Sequence, residues 1–160
     1  MKKSTVVDII SALYILLFLY TGLVKIIDLK RFHDGIQKSP IIRKWAWVYA
    51  PTIPITELAI ATLLLTPMFI ERPKWRKWGL LSGSILMALF TGYIYYMLHF
   101  EKDVPCTCGG IIQQMTWRQH LYFNACFSLL GFFGYWLNNR QQRMEDKNNL
   151  TTYHPGYQKV

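Results

Sequence analysis

Acidic residues are scarce in this chain: nine Asp and Glu stand against 18 Lys and Arg, and all charged types together make up only 17% of its 160 residues. With 52% hydrophobic and 16% aromatic residues beside them, so low a charged fraction argues against an ordinary soluble domain. Cysteine is sparse as well, at three. No internal repeat, phosphate-cradling glycine loop or hydrolase motif occurs. No cluster of Met or His surrounds the cysteines, so nothing beyond two thiolates favours capture of a soft metal such as Cu(I), and no metal site is expected.

What charge there is lies in loops and in the carboxy-terminal tail. It leaves four apolar stretches near the length of about 20 residues that spans a bilayer: residues 6–27, 52–70, 79–98 and 119–137. Lipid offers backbone groups no hydrogen-bond partners, so such spans must be helical. The sequence therefore predicts an all-α fold, a four-helix transmembrane bundle over residues 1–137, followed by a polar tail over 138–160 with no apolar period, mobile unless a partner orders it. Met1-Lys2-Lys3 before an apolar run has the look of a secretory signal. The run is long for a signal core, Asp8 interrupts it and no small-x-small cleavage site precedes Lys25, so it reads as a retained first span.

A net charge of +9 in a soluble protein would suggest nucleic acid. Here the basic residues flank apolar spans, where membrane orientation and lipid headgroups account for them and nucleic acid is not expected. Four spans put Lys2, Lys3, Arg72, Lys74, Arg76, Lys77, Arg140, Arg143, Lys147 and Lys159 on one side, and Lys30, Arg31, Lys38, Arg43, Lys44, Lys102 and Arg118 on the other. The excess places both termini in the cytoplasm and the first and third loops outside.

The third loop holds Val104-Pro105-Cys106-Thr107-Cys108-Gly109-Gly110. A disulfide between Cys106 and Cys108 closes a tight ring that is easily reduced, which suits exchange better than stapling. A structural bridge, or two idle thiols in a turn, is the plain alternative. Neither cysteine has an evident pKa advantage over the other. Close in depth to this loop under four spans lie Lys25 and Glu57, two charges inside apolar segments that can pair, with His99 at the end of the third span and His120 and Asn124 at the start of the fourth. Lys25, Glu57, His99 and Asn124 are candidates for a polar pocket, and His120 for proton transfer or thiolate stabilisation.

Thr116-Trp117-Arg118-Gln119 has the form of a capping box, starting a helix just after Thr116. On that helix His120, Asn124, Phe127, Gly131 and Gly134 share one face, while Cys126 reads as buried packing. Gly79, Gly83, Ala88 and Gly92 suggest a small-residue contact stripe on the third span. Pro51 and Pro54 read as the opening turn of the second. Trp45, Trp47 and Tyr49, with the basic residues of the first loop, read as interfacial anchors.

Tyr20-Thr21-Gly22-Leu23-Val24-Lys25-Ile26-Ile27-Asp28, then Pro54-Ile55-Thr56-Glu57-Leu58, then Pro105-Cys106-Thr107-Cys108-Gly109-Gly110 and Met115-Thr116-Trp117-Arg118-Gln119-His120, in this order, resemble the MauE/DoxX family of bacterial inner-membrane proteins, in a form like that of Bacteroidetes. The resemblance covers residues 6–137. It implies a redox-associated protein that forms or exchanges disulfides in periplasmic clients, acting through Cys106 and Cys108, with a quinone or a thioredoxin-like partner to complete turnover, since there is no second cysteine pair to pass electrons on. The rival from another class is a non-catalytic subunit that docks a larger envelope complex and holds a structural cysteine bridge.

Overall fold

The computed structural model describes residues 3–70, 73–100 and 116–153. Among these residues the chain is all-helical, with α1 Lys3–Ile27, α2 Leu29–Gln37, α3 Ala46–Phe69, α4 Pro73–Phe100 and α5 Trp117–Tyr153; a short 3-10 turn, Arg43–Trp45, leads into α3. The four long helices pack in the cyclic order α1, α3, α4, α5 and back to α1, and α2 lies against α3. Three of them, α1, α3 and α4, are long and apolar enough to cross a membrane.

The helix boundaries have local causes. Asp28 caps α2 by accepting from the Arg31 amide at 3.3 Å, as an amino-terminal carboxylate does. At α5 the capping box forms in both directions: the Thr116 amide donates to Gln119 Oε1 at 2.9 Å and the Gln119 amide to Thr116 Oγ1 at 3.4 Å. Helix α3 starts earlier than expected, at Ala46, so Pro51 and Pro54 sit within the helix instead of its first turn. Ala46 and Ala50 are buried against Ile36 of α2, and that contact extends the helix past the two missing amide donors; membrane helices accept such prolines.

The core of the assembly is mainly apolar, with Val7, Ile10, Phe18, Leu64 and Leu80 among its buried side chains, and polar side chains bridge helices within it. Tyr14 of α1 is fully buried and donates to the Phe127 carbonyl of α5 at 2.5 Å, and Ser128 donates to the Ser84 carbonyl of α4 at 3.3 Å. Gly131 makes room for this junction: a Cβ there would fall on Ser84 Oγ and the Tyr14 hydroxyl. Of the small residues on α4, Gly79 and Gly83 do admit neighbours, Leu64 and Tyr14, but Gly92 meets nothing and Ala88 is exposed. The five-residue step from Gly83 to Ala88 rotates the stripe off the contact face.

Two expectations are corrected. The tail does not begin a structureless segment at Asn138: α5 runs on to Tyr153. Asn138 itself is fully buried, accepting from Arg76 Nε at 2.9 Å, while Arg76 also reaches Asp8 at 2.8 Å. That junction of α1, α4 and α5 fixes the helix beyond the apolar stretch and lets it propagate, since each further residue adds a bond at little cost. Cys126 is exposed rather than buried. It lies off the face shared by Asn124, Gly131 and Gly134, on the outward side with Tyr122, Leu129, Phe133 and Trp136.

Candidate functional site

At the end of the assembly where α1 finishes and α5 starts, a cavity of about 540 Å³ opens between the helices. Helix α1 ends with Lys25 in its last turn, and the four methylene groups of its side chain carry the ammonium inward, where it is only 12% exposed. Glu57 stands on the inner face of α3 between buried Pro54 and Ile60 and is 1% exposed. Lys25 Nζ donates to Glu57 Oε1, and the same ammonium sits 5.6 Å from the ring centres of both Phe32 of α2 and Phe90 of α4. Two aromatic faces and a carboxylate thus stabilise one desolvated cation.

The second carboxylate oxygen, Glu57 Oε2, is buried without a hydrogen-bond partner. Thr21 lines the same wall and stands near the Glu57 carboxylate, but its single hydroxyl hydrogen is directed to the Leu17 carbonyl at 2.9 Å. His120 and Asn124 line the cavity from α5, one turn apart, and Asn124 Nδ2 donates to the His120 carbonyl at 2.8 Å. The remaining surface is largely apolar and aromatic, with Phe18, Ile53, Leu86, Phe123 and Met97 among its side chains.

Of the residues singled out in the sequence, Lys25, Glu57, His120 and Asn124 share this cavity. His99 does not: it is exposed on α4, bonded through Nδ1 to the Tyr95 carbonyl at 3.1 Å and packed on the Tyr95 ring. It falls on the outward face because Ile94 and Met97 are the residues that α4 turns inward there. Cys106 and Cys108 lie outside the described residues. Phe32, Ser39 and Phe90 of the cavity wall went unremarked in the sequence, since single aromatic or hydroxyl residues carry no periodic signal of a shared site. Among the described residues there is no cluster of three or more His, Cys, Asp or Glu able to hold a metal ion.

The outward face of the molecule is the apolar one. Leu16, Ile55, Met68, Phe69, Leu89, Leu129 and Trp136 are exposed, while Ser11, Glu57, Ser84, Asn124 and Asn138 are buried. Water punishes that arrangement and lipid rewards it, so the fold and its enclosed ion pair define a helical membrane protein. The family model for the methylamine utilisation protein MauE matches residues 3–137, and the chain belongs to that family. No curated protein and no solved structure matches the chain significantly.

Proposed function

We propose that the protein crosses the bacterial inner membrane four times, with both termini cytoplasmic, and that Cys106 and Cys108 exchange a disulfide with thiol proteins of the periplasm. The observation that carries this reading is the position of the cavity. Met97 near the end of α4 and Trp117 at the start of α5 both line it, and chain connectivity ties the cysteine segment between those two helices. The fourth span is α5, whose polar residues Asn124 and Ser128 are buried while Tyr122, Leu129 and Phe133 face out; it is less apolar in sequence because its polar side chains serve the interior.

In the exchange, a client thiolate attacks the Cys106–Cys108 disulfide and forms a mixed disulfide. A second client thiol then displaces it. The client gains one S–S bond, and the cysteine pair leaves as two thiols with two electrons and two protons. His120, in the first turn of α5, serves as the proton acceptor. Restoring the pair requires a two-electron acceptor, either a thioredoxin-like disulfide protein or a quinone. The apolar walls and the Lys25 ammonium suit a quinone's ring and carbonyl, and such a group would supply capacity for two electrons and two protons. The family description names methylamine utilisation, and in this reading the client is a periplasmic enzyme of that process.

The competing reading, a docking subunit with a structural bridge, draws support from α5, which continues past Asn138 with exposed side chains at Arg143 to Asn148. A thiol redox titration in native membranes, with mass-spectrometric trapping of mixed disulfides, separates the two. A reversible Cys106–Cys108 couple well above the potential of structural bridges, with a trapped periplasmic client, supports exchange. A pair that stays locked favours docking. C126S serves as the control and leaves the titration unchanged.

A further inference from the structure

Two polar atoms at this cavity have no partner. Glu57 Oε2 is one; the other is Ser39 Oγ, between α2 and α3, in a residue only 3% exposed. Buried polar groups are nearly always satisfied, and a carboxylate oxygen without a donor is costly. Both orphans belong to residues lining one space, and that space is large enough for a small organic molecule. What would complete Glu57 Oε2 is a hydrogen-bond donor.

The charge balance narrows the chemistry. Lys25 and Glu57 already neutralise one another, and the other lysine of the lining, Lys38, is exposed at the rim, so an ionic head beside the buried pair would bring an uncompensated charge into the interior. A neutral head is required. The walls narrow it further: they are mainly apolar, and the cavity reaches the outward surface between α3 and α4, where Thr52 and Leu89 are exposed at its edge. Such walls suit a lipophilic body.

We propose that the cavity binds a neutral lipophilic molecule with a hydroxyl-bearing head, its hydroxyl donating to Glu57 Oε2, its body lying against Ile53, Leu86 and Phe90. This assignment stands independently of the cysteine pair. The hydroxyl can come from an aromatic ring or from a glycerolipid, and the two sources are told apart by the probes.

The test uses the full chain in nanodiscs, with native mass spectrometry and thermal shift as readouts, and three probes: 4-nonylphenol, its O-methylated counterpart 4-nonylanisole, and dioctanoylglycerol. A site built to pair with a hydroxyl discriminates strongly against the analogue lacking it, so the phenol or the diacylglycerol binds, and the anisole binds roughly tenfold or more weakly than the phenol. Binding of the diacylglycerol assigns the glycerolipid source; binding of the phenol alone assigns the aromatic one. K25M/E57L, which replaces the ion pair by apolar groups, brings phenol and anisole to equal affinity. Should that variant fail to fold, E57Q narrows the phenol's advantage, because the amide offers both probes a donor. C106S/C108S leaves binding intact, whatever the fate of disulfide exchange. Equal binding of phenol and anisole to the wild-type chain, or no binding of any probe to folded protein, overturns the proposal.

Discussion

Lys25 and Glu57, 32 residues apart in the chain, form a hydrogen-bonded ion pair across α1 and α3 with the carboxylate almost wholly enclosed. A pair in such a place is asymmetric in its consequences. Two desolvated charges contribute little net stability together, but removing one leaves the other buried and uncompensated. Lys25→Met alone is therefore expected to destabilise the folded protein by about 3–5 kcal/mol, and K25M/E57L to recover most of the loss. Unfolding of the two variants in the same detergent, followed by circular dichroism, measures the difference.

The junction of Tyr14, Ser84 and Gly131 should be the least forgiving point of the packing. A methyl group at Gly131 falls on two polar atoms and lies 2.7 Å from Tyr14 Cζ, so Gly131→Ala should cost about 1–3 kcal/mol by forcing apart α1, α4 and α5. Gly92→Ala is the matched control, because nothing lies within 4 Å of the added atom; with helix propensity improved, it is expected to be neutral or stabilising by up to about 1 kcal/mol. Thermal unfolding of both variants side by side checks the contrast.

Beyond Asn138 the same helix has a different character. The side chains from Arg143 to Asn148 are exposed, so this stretch buries little against the rest of the molecule. Proline removes one backbone hydrogen bond and collides with the preceding turn. Met144→Pro is expected to lower the helical signal in the far ultraviolet while leaving the unfolding midpoint of the transmembrane part unchanged. A large fall in that midpoint would show that the extension is packed.

Membrane topology yields to chemical labelling. In a background without native cysteines, Lys38→Cys and Lys147→Cys place single thiols at exposed positions near opposite ends of the long helices. Four spans with cytoplasmic termini predict that a membrane-impermeant maleimide labels the first in intact cells and the second only after permeabilisation. Labelling of both in intact cells would mean that α5 does not span.

The amino-acid sequence by itself determined the helical class, three of the four expected apolar spans, the start of α5 at its capping box and the shared face of Asn124, Gly131 and Gly134. These depend on periodicity and on neighbours three or four residues away, which a single strand of text displays. It also marked Lys25 and Glu57, since charge inside an apolar stretch is conspicuous wherever it occurs. Only the tertiary structure decided that these two meet, that Phe32 and Phe90 enclose the ammonium, that Ser39 joins the same wall, and that His99 turns away. It likewise turned Cys126 outward and carried α5 into the tail as far as Tyr153, fixed by Arg76 and Asn138. The physical reason is the same in each case: which face of a helix is buried depends on the rotation its neighbours impose, and contacts between residues remote in sequence have no local signature.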